Sequence, residues 1–159
     1  MVDILQFKKE DQSQIRDFVL SIQNDEFKLG FTNSEQPDLL DIEKFYRNGN
    51  FWTARINSEI IGTIGLQNLD NSNGVLRKMF VRSDFRGTEL KIAQMLFDTL
   101  LDFAASINLK MIWLDTPAIA VASHRFYEKN GFIQTDKLNL PDSYVFPDKN
   151  SKIYKLALK

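Results

Sequence analysis

The sequence predicts an α/β domain in which helices flank a mixed, mostly antiparallel sheet. Strand-like segments follow one another from residue 51 to residue 81, with turn residues between them. A helix pattern over residues 88–107 then precedes the apolar run 111–114, which is typical of a strand–helix–strand unit with a right-handed crossover. Because 159 residues of 43% apolar composition suffice for one core, we expect a single domain over residues 1–159.

The first fifty residues predict one strand and two helices. Residues 2–7 are typical of a short strand. The helix that follows has apolar residues spaced 3, 1 and 3 apart on one face: Ile15, Phe18, Val19 and Ile22. Residues 24–37 predict a loop or a broken helix. A second short helix after Pro37 ends near Asn48-Gly49, which is a C-cap signal.

The middle of the chain predicts a meander of three strands. Residues 51–56 and 59–66 are rich in β-forming residues, and Asn57-Ser58 between them is a two-residue hairpin signal. The dense turn signal of residues 70–74 then leads into a third strand over residues 75–81.

After the strand–helix–strand unit, the sequence predicts a further helix over residues 119–129, which Asn130-Gly131 ends. Residues 132–135 and 152–158 supply the last strands, and we expect them to pair antiparallel around the proline-containing loop between them. The predicted element order is therefore β-α-α-β-β-β-α-β-α-β-β.

The composition excludes several kinds of function. Cysteine is absent, which excludes a disulfide framework, a thiolate zinc site and a cysteine nucleophile, and the single histidine, His124, argues against a histidine metal site. The net charge of −1 argues against a nucleic-acid partner. No apolar run reaches the roughly 18 residues of a membrane span, and the N-terminus has no signal-peptide pattern. We therefore expect a cytoplasmic protein with no metal and no membrane partner.

Residues 75–97 are the stretch around which the chain is organised. A predicted strand runs into the turn Arg86-Gly87-Thr88, and a helix follows directly. The first N–H groups of a helix have no partner within the helix, and the helix dipole adds a partial positive charge there. A strand end, a glycine turn and a helix start together predict a site for an anion, usually a phosphate.

Two motifs extend this prediction. One is Met79-Phe80-Val81 leading into residues 85–91, and the other is residues 124–132 with the run Tyr-Glu-Lys-Asn-Gly-Phe. With these motifs the chain resembles the GNAT superfamily of N-acetyltransferases, which move an acetyl group from acetyl-CoA to an amine. The element order agrees over essentially the whole chain, most closely over residues 75–132. The resemblance implies a single-domain GNAT-like fold.

The resemblance also implies where acetyl-CoA binds. In such a fold the strand ending near Val81 splays from the strand ending near Leu114. The backbone of Met79, Phe80 and Val81 can then bond the pantetheine arm as an added strand would. The residues implied in binding the pyrophosphate are those of the turn and the helix start, Arg86, Gly87, Thr88, Glu89, Leu90 and Lys91.

The same turn departs from the usual family pattern Arg/Gln-x-x-Gly-x-Gly/Ala, because Glu89 and Lys91 stand at its two small positions. Small residues there let a phosphate approach the backbone closely, and Glu89 adds a negative charge beside it. Both effects predict that CoA binds more weakly or in a different position. Lys91 offsets part of this loss. Glu89 also fits a structural role in which it stabilises the helix dipole. A second departure is Ala120, where the family often has an asparagine.

Three residues are candidates for the chemistry. By the resemblance, Tyr127 lies near the thioester sulfur and can protonate the departing CoA thiolate, unless it only packs the helix on the sheet. His124 lies one turn earlier, where packing or contact with the edge of CoA is favoured over a role as base. Asp115, at the end of its strand, could receive the amine proton directly or through water. Its alternative is a helix N-cap or turn role.

Other charged residues could shape the acceptor side. Asp25 and Glu26 lie in the region that lines it by the resemblance, where they could attract a cationic amine or form a solvated surface pair. Arg77 and Lys78 are adjacent in a strand, so alternation allows only one of them to face the cleft. The acceptor amine could belong to a small molecule or a peptide, and the last strands offer an edge for a homodimer.

We therefore predict an acetyl-CoA-dependent N-acetyltransferase. The amine would attack the thioester directly in a ternary complex, since no cysteine exists to form an acyl-enzyme. A backbone N–H near Phe80 or Val81 would polarise the carbonyl. The alternative is a catalytically silent CoA-binding module with an interaction or regulatory role, which the substitutions at Glu89, Lys91 and Ala120 favour. A third interpretation, nucleic-acid binding, lacks a basic stripe.

Overall fold

The computed structural model describes residues 1–26, 28–30, 36–87, 91–144 and 150–158. One mixed sheet runs through the described chain. Its strands are β1 (Asp3–Gln6), β2 (Asn50–Ile56), β3 (Glu59–Asn68), β4 (Asn73–Val81), β5 (Met111–Pro117), β6 (Ile133–Thr135) and β7 (Ser151–Ala157). They lie in the order β1-β2-β3-β4-β5-β7-β6, and only β4 and β5 pair in parallel. The predicted α/β class with a mostly antiparallel mixed sheet is confirmed.

Four α-helices flank this sheet within the described residues. They are α1 (Gln12–Leu20), α2 (Ile42–Phe45), α3 (Ile92–Ser106) and α4 (Val121–Lys129). Helix α1 continues into a π-helical turn over Ser21–Glu26, and a 3₁₀ turn at Pro37–Leu39 precedes α2. None of these helices combines the length and the apolar character needed to cross a bilayer, as far as the described chain extends.

The helices bury two apolar clusters on opposite faces of the sheet. The buried residues of α3 recur at helical spacing and face the sheet: Ile92, Leu96, Phe97, Leu100 and Ala104. Each large one contributes roughly 1.5–3 kcal/mol by leaving water. Ile15 and Val19 of α1 belong to the second cluster. Adjacent residues Phe51 and Trp52 of β2 enter different clusters, because successive side chains of a strand point to opposite faces.

The predicted hairpin between β2 and β3 is confirmed. Asn57 and Ser58 form its turn, and both have positive φ, at 51° and 70°. A two-residue turn of this kind matches the right-handed twist of the strands, and asparagine tolerates the left-handed region better than most residues.

Strands β4 and β5 separate after a short parallel ladder. They pair only at Asn73 with Met111, Gly74 with Ile112 and Val75 with Trp113 in the described structure. Beyond this ladder β4 stays paired with β3 and β5 stays paired with β7. A wedge therefore opens between the second half of β4 and the end of β5, as the resemblance implied.

A bulge in β4 changes which side chains face this wedge. Thr63 lies opposite Phe80 and Gly65 lies opposite Arg77, so β4 holds one more residue than β3 in this interval. Lys78 takes a φ of 54°, and its carbonyl accepts a 2.7 Å hydrogen bond from Thr63 Oγ1. Because an extra residue interrupts strict alternation, the strand rule no longer separates Arg77 from Lys78.

The start of α3 differs from the sequence prediction. Helical geometry begins at Ile92, and Lys91 precedes it as the N-cap with a φ of 52°. Thr88, Glu89 and Leu90, which the sequence placed in the turn and the first helical residues, lie outside the described residues. Helix α4 likewise begins two residues late, at Val121, with Ala120 as its N-cap.

Candidate active site

A cavity of about 360 Å³ opens where β4 and β5 separate. The strands, the start of α4 and the turn before α3 each contribute a wall. The predicted site residues that line it are Met79, Phe80, Val81, Arg86, Gly87, Asp115 and Tyr127. The structure therefore brings these predicted residues together around one cavity. Binding of CoA by these residues stays a prediction.

The end of β4 forms one wall of the cavity. Met79, Phe80 and Val81 lie past the last rung shared with β5, so the edge of β4 that faces β5 has no strand beside it in the described structure. An extended amide-bearing ligand can add to such an edge as a further strand. The Val81 carbonyl accepts a 2.7 Å hydrogen bond from Arg86 Nε, which fixes the turn to the strand.

The turn after β4 carries the predicted phosphate site. Gly87 has a φ of 135° and is exposed, with open space where a Cβ would stand. Ala93 in the first turn of α3 also lines the cavity, so the helix start faces the same space. Lys91 is exposed and does not line the cavity. A backbone of this form suits an anion that approaches closely.

Arg86 is held by a carboxylate that the sequence did not pair with it. Its Nη2 lies 2.7 Å from Glu26 Oε1, and its Nη1 contacts Glu26 Oε2. Glu26 therefore connects the π-helical turn to the turn after β4. Neither Asp25 nor Glu26 lines the cavity, so the role in attracting an amine finds no support in the geometry.

Tyr127 faces the cavity from α4 while its ring packs in the core. Its ring centroid lies 5.6 Å from that of Phe132 and 6.1 Å from that of Tyr154. The hydroxyl makes no hydrogen bond to the described residues. Burial raises the pKa of Tyr127, and the negative charge of Asp115 raises it further. The side chain is therefore a protonated phenol at neutral pH, as a proton donor must be.

Asp115 lies within β5, opposite Ile153 of β7, and lines the cavity. The helix N-cap alternative is wrong, because Ala120 occupies that position and no side chain caps the helix. Asp115 Oδ1 instead accepts a 2.5 Å hydrogen bond from the Tyr144 hydroxyl. Tyr144 lies three residues after Pro141 in the loop after β6, and no spacing in the sequence indicated this contact.

His124 lies behind the cavity wall. It is buried, its Nε2 lies 2.9 Å from the Pro117 carbonyl oxygen, and its ring centroid is 6.0 Å from that of Tyr154. It does not line the cavity. The structure therefore favours the packing role for His124 over the predicted contact with CoA, because the ring is already occupied between β5 and β7.

Both Arg77 and Lys78 line the cavity, so the expectation that only one could do so is wrong. The bulge at Lys78 is the physical reason. Lys78 Nζ lies 3.2 Å from Asp38 Oδ2, and the same carboxylate oxygen accepts a 2.7 Å hydrogen bond from Tyr46. Burial raises the pKa of Tyr46, and the Asp38 charge adds to the effect.

A buried amide pair completes the wall, and no pattern in the sequence indicated it. Gln23 Nε2 donates to Gln36 Oε1 at 2.9 Å, and Gln36 Nε2 donates back to Gln23 Oε1 at 2.6 Å. Both side chains are buried and both line the cavity. The pair fixes the π-helical turn against the segment that leads into α2, since buried amides keep their hydrogen-bond partners.

Comparison with protein families adds to this geometry. A family model described as the acetyltransferase (GNAT) family matches residues 16–132. A solved structure of a GNAT-family acetyltransferase from Staphylococcus aureus superposes with a TM-score of 0.95 at 35% identity, covering 100% of both chains. The single-domain GNAT fold expected from the sequence is therefore confirmed.

Two curated relatives are similar over part of their length. The probable N-acetyltransferase camello of Xenopus tropicalis is 35% identical over 100 residues, which are 60% of this chain and 45% of that protein. The human N-acetylaspartate synthetase is 34% identical over 114 residues, which are 69% of this chain and 36% of that protein. The matched segments thus span less than half the length of these relatives.

Proposed function

This chain belongs to the GNAT family of acetyltransferases, and we propose that it transfers an acetyl group from acetyl-CoA to a primary amine by direct attack in a ternary complex. One observation carries the proposal: the Tyr127 phenol and the Asp115 carboxylate line the same cavity. This cavity also borders the edge of β4 that has no strand beside it in the described structure. A covalent acetyl-cysteine intermediate is excluded because the chain has no cysteine.

The donor would lie along the wedge. Its pantetheine amides bond the backbone of Met79, Phe80 and Val81 as an added strand would. Its pyrophosphate meets the backbone at Gly87 and the start of α3, beside Arg86. Thr88, Glu89, Leu90 and Lys91 complete this phosphate site in our proposal. The open space at Gly87 supports this placement, because no atom of the described residues beyond its chain neighbours lies within 4 Å of the position that a Cβ would take.

The chemistry then needs four events. The neutral amine nitrogen attacks the thioester carbonyl carbon, and a backbone N–H near Phe80 or Val81 stabilises the oxyanion. The C–S bond breaks with its electron pair on sulfur, and the Tyr127 hydroxyl gives that sulfur a proton. The amine proton passes to Asp115, directly or through water. Bond exchange yields an N-acetyl product and free CoA, with positioning as the main source of rate.

We propose the chemical class of the acceptor, a primary amine, and not a particular compound. One relative is named N-acetylaspartate synthetase, so amino acids join small amines and peptides among the candidates. The cytoplasmic location and the homodimer expected from the sequence also remain proposals. The matched family model, relatives and structures are all named as acetyltransferases, so they give no support to the alternative of a silent CoA-binding module.

Two measurements test the proposal. Acetyl-CoA should raise the melting temperature, since a ligand at a hundred times its Kd stabilises a protein by about 2.7 kcal/mol. Thiol release with a panel of amines should then detect turnover. Stabilisation without release from any amine would favour the silent module. No melting shift with millimolar acetyl-CoA or CoA would overturn CoA binding itself.

A further inference from the structure

The hydrogen bonds between β3 and β4 show where the backbone groups of β4 point. Before the bulge, Leu69 N donates to Asn73 O at 2.9 Å, so every second residue of β4 from Asn73 to Arg77 bonds to β3. Antiparallel strands alternate in this way between residue pairs that exchange hydrogen bonds and pairs that do not. If the same register continued to the end of β4, Val81 would direct its N–H group toward β3.

The extra residue in β4 reverses this direction at the end of the strand. Beyond the bulge, Val81 lies opposite Gly62, and Arg82 N donates to Ile61 O at 2.8 Å. Because the hydrogen-bonded pairs alternate, Val81 turns its N–H and its carbonyl away from β3. The Val81 carbonyl accepts a hydrogen bond from Arg86 Nε, which agrees with this direction. The Val81 N–H therefore points into the wedge, where β5 has already separated from β4.

Contacts at both ends of Lys78 hold the bulge in place. The Lys78 φ of 54° lies in the left-handed region, which is unfavourable for a residue with a Cβ. Its carbonyl accepts a 2.7 Å hydrogen bond from the hydroxyl of Thr63, which is buried. Its Nζ lies 3.2 Å from Asp38 Oδ2. One residue is thus fixed by β3 at its backbone and by a carboxylate at its ammonium group.

Asp38 is itself a fixed partner. It is buried, and its Oδ2 accepts a 2.7 Å hydrogen bond from Tyr46, the C-cap residue of α2. Burial raises the pKa of Tyr46, so the phenol keeps the proton that it donates. The bulge is therefore connected to the segment that carries α2. An unfavourable backbone conformation persists only where its surroundings fix it, and such positions cluster at functional sites.

We propose that Thr63, Lys78 and Asp38 position the oxyanion donor of the transfer. They hold the extra residue of β4, which keeps the Val81 N–H directed into the wedge toward the thioester carbonyl. This N–H stabilises the negative charge that develops on the carbonyl oxygen as the amine attacks. The three residues act through the backbone of β4 and need not touch the reacting atoms. The inference rests on the proposed acetyl transfer, and it assigns the donor to Val81 and not to Phe80, which lies in a pair bonded to β3.

The first test removes the Val81 N–H alone. Replacement of Val81 by α-hydroxyisovaleric acid, through stop-codon suppression, turns the peptide bond into an ester that keeps the side chain and has no N–H. We expect kcat for thiol release from acetyl-CoA, with the fastest amine of the panel, to fall by about 10²- to 10³-fold. The Kd for CoA should stay within about threefold, because CoA has no acetyl carbonyl to polarise.

The same ester at Val75 is the matched control. Val75 lies on the same strand and takes the same hydroxy acid, but it pairs with Gln67 in the sheet and does not line the cavity. Its ester should lower the melting temperature, since a ladder hydrogen bond is lost, and should leave kcat within about twofold.

The second test removes the hydroxyl that holds the bulge. Thr63→Val should lower kcat by about tenfold or more, because a small displacement of a catalytic group is enough for such a loss. Thr63→Ser keeps the hydroxyl and should recover most of the activity. Thr53→Val is the matched control, because Thr53 is also buried, lies opposite Thr63 on β2 and does not line the cavity.

The backbone conformation of Lys78 gives a third test. In an Asp38→Asn background, Lys78→Gly and Lys78→Val both remove the ammonium group. Glycine adopts a positive φ readily, whereas a β-branched residue there is an outlier. We expect Lys78→Gly to exceed Lys78→Val by about tenfold or more in kcat. Melting temperatures show whether each variant is folded, and the Thr63 pair decides if Lys78→Val is not.

A double-variant cycle distinguishes positioning from a general structural effect. If Thr63 acts through the Val81 N–H, Thr63→Val should cost little further activity once the ester has removed that N–H. We expect kcat of the combined variant to lie within about threefold of the ester alone. A structural role would instead make the two losses multiply.

The outcomes separate the two claims. Unchanged kcat in the Val81 ester, equal kcat in Thr63→Val and Thr63→Ser, or equal kcat in the two folded Lys78 variants would overturn the inference and leave acetyl transfer standing. Losses that multiply in the cycle would overturn it as well. Stabilisation of the wild-type chain by CoA without thiol release from any amine would overturn the proposed function, and the positioning role with it.

Discussion

The guanidinium of Arg86 and the carboxylate of Glu26 form a bidentate ion pair between residues 60 positions apart in the sequence. Arg86 Nη2 and Glu26 Oε1 are 2.7 Å apart. Glu26 belongs to the π-helical turn that extends α1, and Arg86 follows the 3₁₀ turn after β4. The same guanidinium also fixes the end of β4 through the Val81 carbonyl. The Glu26–Arg86 ion pair therefore joins the π-helical turn directly to the proposed pyrophosphate site.

Removal of the Glu26 charge should tighten CoA binding. Glu26→Gln removes the carboxylate that pairs with Arg86 in the described structure, so a phosphate no longer competes with Glu26 for the guanidinium. We expect a few-fold lower Kd for CoA by calorimetry and little change in stability, because half-exposed pairs contribute only about 0–1 kcal/mol. Asp25→Asn removes the same charge from the adjacent exposed residue and is the control. Weaker binding in Glu26→Gln would show that Glu26 instead holds Arg86 in its productive position.

Tyr127→Phe should slow turnover without unfolding the protein. The hydroxyl makes no hydrogen bond to the described residues, so its loss leaves the core packing unchanged. Loss of a general acid typically lowers kcat by about 10²-fold or more, while KM for acetyl-CoA should change little. Tyr154→Phe removes the same atom from a neighbouring ring that does not line the cavity. If kcat is unchanged in Tyr127→Phe, Tyr127 is not the general acid and its role is to pack α4 on the sheet.

The pH profile offers an independent check on Tyr127. The acid is active when protonated, and burial with the Asp115 charge raises its pKa above the ordinary value of about 10. A raised pKa keeps the proton on the phenol as the pH rises. The kcat profile should therefore show no decline from this group up to about pH 10. A descending limb between pH 8 and 9 that disappears in Tyr127→Phe would contradict the assignment.

Lys91→Gly should stabilise the chain. Lys91 has a φ of 52°, and the left-handed region costs a residue with a Cβ about 1 kcal/mol or more relative to glycine. Glycine loses more entropy on folding, so we expect a net gain of about 0.5–1 kcal/mol in urea unfolding. Lys91→Ala removes the charge but keeps the Cβ. A gain of the same size in Lys91→Ala would point to charge, not backbone strain, as the cause.

The ion pair between Lys78 and Asp38 should be far more costly to break than the one at Arg86. Both side chains are nearly buried, and Tyr46 bonds the same carboxylate oxygen. Lys78→Met should therefore cost about 3–5 kcal/mol, since it leaves a buried charge without its partner. The double variant Lys78→Met with Asp38→Asn should recover part of that loss in the same unfolding experiment. Additive losses would mean that the pair has no coupling.

The sequence by itself determined the elements that repeat a local pattern. Strand alternation and turn residues located the meander of β2, β3 and β4, and helical spacing located α3. The motif at Met79-Phe80-Val81 and the run that contains Tyr127 were enough for the family, which the comparison confirms. Such features depend on neighbours within a few positions, so their information lies in the order of the residues.

Only the tertiary structure decided how the charged side chains pair. The bulge at Lys78 turned two adjacent residues toward one cavity, against the alternation rule. Asp115 was predicted as a site residue, but its partner Tyr144 comes from 29 residues away, and Arg86 meets Glu26 from 60 residues away. Contacts of this kind depend on how distant segments pack, and no periodicity or spacing records that. Sequence alone could thus name candidate residues for the chemistry, whereas the pairing of the charged side chains around them could not be predicted from it.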